Sequence, residues 1–78
     1  MQNSDFNYYE IIASNIRILR TSKNLSQEKF AESIDCSREY ISRLENNREK
    51  ISLSLLLSIS RIYNIPPEFF FQKNTEFV

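Results

Sequence analysis

Two short amphipathic stretches meet between Ser26 and Glu45, SQEKFAESIDCSREYISRLE, across a break long enough only for a turn. That spacing limits what the rest of the chain can build around it. In the first stretch Phe30, Ala31 and Ile34 recur at helical intervals, Ser26 stands in capping position, and Glu28 faces the positive end of the helix dipole. Ser37 caps the second stretch in the same way.

At about 100° per residue, Arg38, Glu39, Ser42, Arg43 and Asn46 share a contiguous arc of roughly 140° on the second helix. Ser37, Tyr40, Ile41 and Leu44 occupy the opposite arc. A helix anchored by Tyr40, Ile41 and Leu44 therefore turns outward two guanidiniums, a carboxylate, a hydroxyl and an amide. These are the donors and acceptors that base edges in a DNA groove call for. The pattern is that of a helix-turn-helix whose second member, residues 37–46, is a recognition helix.

Upstream, Tyr9, Ile12, Ala13, Ile16 and Leu19 recur at steps of three and four, predicting a first helix from Tyr9 to Lys23 with Ile18 off its apolar stripe. Downstream, residues 46–51 form a polar loop. Ser52 caps a fourth helix carrying Leu53, Leu56, Leu57, Ile59, Ile62 and Tyr63. Pro66 and Pro67 open a short fifth helix, and the tail from Gln72 is expected to fray. The expected fold is all-α, a compact five-helix bundle with the motif at helices 2 and 3. One domain over residues 1–78 is expected, ordered over residues 8–71.

Glycine, the residue that most readily ends a helix in the left-handed conformation, is absent from this chain. Asparagine and aspartate are the next best residues for that backbone. Asn24, Asp35, Asn47 and Asn64 stand at the four places where helices must stop, so positive φ is expected at most of them.

Composition narrows the chemistry. Seventy-eight residues bury a modest core, so a second copy would add useful stability. With 41% apolar and 26% charged residues, the chain is neither disordered nor membranous. The opening MQNSDFNYYE has no basic start followed by an apolar run, so a cytoplasmic location is expected. There is no histidine, and Cys36 is the sole cysteine. No metal-ligand set, phosphate-cradling loop or intramolecular disulfide can be assembled, so neither catalysis nor a cofactor is expected. Cys36 takes the apolar position of the turn as a small buried thiol.

The net charge of zero argues mildly against nucleic acid, because phosphates attract an excess of Lys and Arg. Placement outweighs the sum. Between Arg17 and Lys50 eight basic residues face six acidic ones, an excess of two placed around the second motif helix and the loop after it.

The segments IRILR, LSQEKFAESIDCSREYISRLEN and ISLSLLLSISRIYNIPPEFF resemble the phage Cro and repressor-like helix-turn-helix family, also called XRE, over residues 11–71. The resemblance implies a lambda-repressor-like DNA-binding fold. It places Gln27 on a phosphate and Arg38, Glu39, Ser42 and Arg43 at base-reading positions. Arg38 best suits the O6 and N7 of guanine, and Arg43 has a phosphate as its alternative. Glu39 either accepts from cytosine N4 or repels a wrong base edge; Tyr40 either stays in the core or lends its hydroxyl to a phosphate. Ser37, Asn46, Asn47, Arg48 and Lys50 border the sugar-phosphate strand, where side chains and free N–H groups set register. Arg20 and Glu45 match a family ion pair, and Glu45 lies at the edge of the buried arc, where it needs a partner. Asp35 departs from the family, which commonly has glycine in the motif's turn.

The last third, NNREKISLSLLLSISRIYNIPPEFFF, resembles the small controller proteins of restriction-modification systems, which bind DNA as dimers and activate or repress. Phe69, Phe70 and Phe71 cannot all point inward from one short helix. With Ile65 and parts of the fourth helix they are expected to pair two copies, setting recognition helices about 34 Å apart on a near-palindromic operator; a monomer whose tail folds over the rings is the other option. Glu28 and Glu32, one turn apart, resemble an acidic patch through which phage repressors touch RNA polymerase; a solvated helix face is the other option. The competing function is an antitoxin-like protein-interaction bundle that docks a partner on the same outward arc.

Overall fold

The computed structural model describes residues 7–75, so most of the expected N-terminal tail and residues 76–78 of the C-terminal tail lie outside the described residues. Helices α1 (Tyr8–Ser22), α2 (Gln27–Ser33), α3 (Arg38–Glu45) and α4 (Leu53–Ile62) are followed by a 3-10 turn over Pro67–Phe71. Each α-helix begins on a side-chain oxygen that accepts an otherwise orphaned N–H. Ser26, Ser37 and Ser52 cap α2, α3 and α4 as expected, at 3.0 to 3.1 Å. Asn7, which the apolar periodicity does not mark, caps α1 through the N–H groups of Tyr9 and Glu10.

All four glycine substitutes behave as glycine would: φ is 58° at Asn24, 61° at Asp35, 60° at Asn47 and 56° at Asn64. At each one the next residue's N–H reaches back five residues, to the carbonyls of Arg20, Ala31, Arg43 and Ser60. These are Schellman closures, completed by an apolar residue after three of the four, namely Leu25, Cys36 and Ile65.

The expected fifth α-helix is corrected to the 3-10 turn. Two prolines remove N–H donors at its start, and the buried amide of Asn15 competes for its carbonyls. Asn15 Nδ2 donates to Phe69 O at 3.1 Å, Phe70 O at 2.9 Å and Gln72 O at 2.7 Å. Asn74 Nδ2 in turn donates to Asn15 Oδ1 at 3.0 Å. The expected fraying from Gln72 is therefore also corrected, because residues 72–74 are tied to α1 through one buried side chain.

Ile16, Leu19, Phe30, Ile41, Leu44, Leu56, Ile59 and Phe70 fill the core, drawn from all four helices and the turn. Ile18 is half-buried, off the stripe as its spacing predicts. Tyr63 covers Phe30 with ring centroids 5.6 Å apart, and its hydroxyl meets that of Ser33, joining the ends of α2 and α4.

Candidate nucleic-acid interface

The underside of α3 sets its position. Ile41 and Leu44 are buried, and Tyr40 is half-buried against the same core. At the end of the helix the Glu45 side chain has no exposed surface at all. Arg20 grips its carboxylate with two prongs, Nε to Oε2 at 2.6 Å and Nη2 to Oε1 at 3.1 Å. Arg20 Nη1 also donates to the Leu25 carbonyl at 2.7 Å. Gln27 Nε2 donates to Glu45 Oε1 at 3.1 Å, and Arg17 Nε lies 3.6 Å from the same oxygen. One carboxylate thus joins α1, the first turn of α2 and the end of α3, which holds the two motif helices at a fixed angle.

The Arg20–Glu45 pair is the one the resemblance implied. Gln27 and Arg17 as further partners were missed. Arg17 stands three residues before Arg20, a spacing that puts both on one face of α1 and was the available signal. Gln27 keeps a second Nε2 hydrogen, so its grip on Glu45 leaves a donor for a phosphate.

The outer face of α3 carries the expected base-reading residues together: Arg38, Glu39 and Arg43 are exposed and Ser42 is half-buried. Arg38 Nη2 lies 3.6 Å from Glu39 Oε2, but both side chains are more than half exposed, so water screens the pair. Arg43 is more constrained. Its Nε donates to Glu49 Oε1 at 3.2 Å, and its guanidinium carbon sits 5.9 Å from the centre of the Tyr40 ring. Burial, then the neighbouring Cys36 thiol and Glu49 carboxylate, raise the Tyr40 phenol above its ordinary value of 10.0, against an opposing pull from Arg43. The ring stays with the core and remains a neutral donor at physiological pH.

The residues expected on the DNA backbone border this face. Ser37 uses its oxygen to cap α3 and keeps its hydroxyl hydrogen for another partner. Asn46 turns its amide back on the Ser42 carbonyl at 2.9 Å. Asn47 and Arg48 are exposed in the loop, and Lys50 sets its ammonium 5.4 Å from the centre of the Tyr9 ring. Cys36 is half-buried in the turn, its thiol directed to the Ile34 carbonyl at 3.6 Å; burial and then the Asp35 carboxylate push it up from the ordinary 9.0. Glu28 and Glu32 are exposed, the latter 3.9 Å from Lys29. Among the described residues, no group of three or more His, Cys, Asp or Glu could hold a metal ion, and no helix is long and apolar enough to cross a membrane.

The expected dimer interface needs correction in two of its four members. Ile65 is 5% exposed and Phe70 fully buried, so both belong to the chain's own core. Phe69 is half-buried against that core. Phe71 faces out and meets Tyr8 edge to face at 5.8 Å. Beside it runs a shallow apolar groove that includes Tyr9, Leu53 and Leu56, and Leu57 is exposed one turn beyond Leu53 on α4. Leu53 and Leu57 lie at i, i+4, an exposed stripe on the fourth helix, parts of which were expected at the dimer seam.

A helix-turn-helix family model matches residues 16–70. A relative named as an uncharacterized HTH-type transcriptional regulator in Sinorhizobium medicae is 38% identical over 61 residues, which is 78% of this chain. The match spans 44% of that relative's length. Control protein C.SmaI of Serratia marcescens is 38% identical over 55 residues, 70% of this chain and 66% of its own. The crystal structure of the restriction-modification controller protein C.AhdI from Aeromonas hydrophila superposes with a TM-score of 0.73 at 30% identity, covering 81% of this chain and 96% of that one. A matching family model over most of the chain, the buried Arg20–Glu45 bridge and the polar outer face of α3 lead to one conclusion: the chain belongs to the XRE-type helix-turn-helix family.

Proposed function

We propose that this chain is a transcriptional regulator that binds double-stranded DNA sequence-specifically, laying α3 in the major groove. The observation that carries this is the pairing of a polar outer face, Arg38, Glu39, Ser42 and Arg43, with an underside fixed by the buried carboxylate of Glu45. A rigid mount matters because a base contact rewards only a side chain that arrives in place. Arg38 takes guanine O6 and N7; Gln27, Ser37, Asn46, Asn47, Arg48 and Lys50 hold the sugar-phosphate strand. The similarity to control and controller proteins supports a role in a restriction-modification system.

The chain acts in the cytoplasm as one domain and a homodimer on a near-palindromic operator. Its seam is the exposed apolar surface of Phe71, Tyr8, Leu53 and Leu57 rather than Ile65 and Phe70. Sedimentation at tens of micromolar should give the dimer, and only monomer there removes that part. Glu28 and Glu32 remain available to RNA polymerase, and charge reversal at both should abolish activation in a reporter while sparing DNA binding.

The decisive experiment selects bound fragments from a random duplex pool and measures affinity for the best one against salt. Each phosphate contact by a cation should contribute a slope of about −0.9. A flat salt dependence with no enriched sequence would instead favour a protein partner on the same face.

A further inference from the structure

Arg43 is held from two sides, by a carboxylate six residues further on and by an aromatic ring from its own helix. The spacing from Arg43 to Glu49 is not one at which helical neighbours meet. The contact exists because Asn47, at φ 60°, reverses the chain and Arg48 N–H closes onto the Arg43 carbonyl at 2.8 Å, which brings Glu49 back alongside α3. Glu49 Oε1 then takes the Nε hydrogen at 3.2 Å, while Tyr40 lies against the guanidinium. Among the described residues, no acceptor engages Nη1 or Nη2.

An arginine can address two acceptors on a base edge side-on, through Nε and one Nη, or end-on, through both Nη groups. With Nε occupied, only the end-on presentation is left. Glu49 also sets a negative charge beside the interface, which opposes phosphate binding at any sequence. A loosely held Arg43 would be free to swing to the nearest phosphate, where it would add affinity without discrimination.

We propose that Glu49 is a positioning residue that determines specificity: by holding Nε it commits Arg43 to end-on contact with a base edge and keeps it off the phosphates. This rests on the proposed placement of α3 in the major groove. Glu49→Ala should therefore do two opposite things. Affinity for random duplex should rise, because a negative charge is gone and Arg43 is released. Preference for the best duplex from the pool over its single-base variants should fall at one position, by roughly the tenfold expected of a lost bidentate contact.

The test measures affinities for that duplex and its variants with wild type, Glu49→Ala, Glu49→Gln, Arg43→Ala and the double variant Arg43→Ala/Glu49→Ala. Glu49→Gln keeps an acceptor for Nε, so it should retain most of the preference while sharing the stronger random binding. Glu49→Ala should cost no further preference once Arg43 is gone. Melting temperatures should not move, as expected of an exposed ion pair. If Arg43→Ala leaves the base profile intact, Arg43 does not read a base and the proposal falls with that assignment. If Arg43→Ala alters the profile but Glu49→Ala does not, the proposal alone falls. Equal losses from Glu49→Ala with and without Arg43 would show Glu49 acting by itself and would also overturn it.

Discussion

Two ion pairs sit two residues apart on α3, and they do different work because one is dry and the other wet. Glu45 is enclosed, with Arg20, Gln27 and Arg17 all directed at its carboxylate. Arg43 and Glu49 are about half and one-third exposed on the opposite face. In the enclosed site, removing one partner strands a charge in a medium that cannot solvate it, so the pair must stay intact for the helices to stay in register. On the exposed side water replaces a lost partner at little cost, and the pair is free to direct a side chain rather than to hold the fold. Charge of the same kind is thus structural or available according to burial alone.

The contrast breaks most easily at Glu45. Glu45→Ala should destabilise the chain by about 3–5 kcal/mol, lowering both the melting temperature and DNA affinity, because Arg20 is left nearly buried and unpaired. Affinity lost with an unchanged melting temperature would move Glu45 to the recognition face. Next in size is Arg38→Ala, expected to cost about 1–3 kcal/mol of discrimination at one base pair with no change in thermal melting. A uniform loss across all sequences would reassign Arg38 to the phosphates.

A smaller effect separates the loop from the helix face. Lys50→Ala should reduce the salt slope of binding by about 0.9 and leave the base profile as it was. The smallest effect tests the half-buried groups between the two faces. Cys36 and Tyr40 both hold their protons more tightly in the fold than in the unfolded chain. Their contribution is therefore complete below the ordinary thiol value of 9.0 and is lost as pH rises through the folded values. Melting temperature should fall across that alkaline range, and Cys36→Ala should shallow the fall without removing it.

Much of this was legible in the chain because helix signals are local. Serine caps at Ser26, Ser37 and Ser52, and the four residues standing in for glycine, depend on a few neighbouring backbone groups, and all seven behave as the sequence predicts. The outward set of α3 followed from angular spacing, and its buried anchors Ile41 and Leu44 from the same wheel. Asn7 was missed because the first helix was bounded by its apolar stripe, which starts two residues after its cap. The turn at Phe69–Phe71 was misjudged because its conformation is decided by Asn15, more than fifty residues away.

The chain by itself determined four helices, their ends and the polar outer face of α3, since each depends on contacts within about one turn of sequence. Only the tertiary structure decided which apolar side chains near the C-terminal turn are enclosed, sending Phe70 and Ile65 inward and Phe71 outward. It alone gathered Arg17 and Gln27 onto Glu45 and returned Glu49 to Arg43. The physical reason is that burial and charge pairing depend on what lies nearby in space, and no period along the chain records a neighbour supplied by another helix or by a reversal of the backbone.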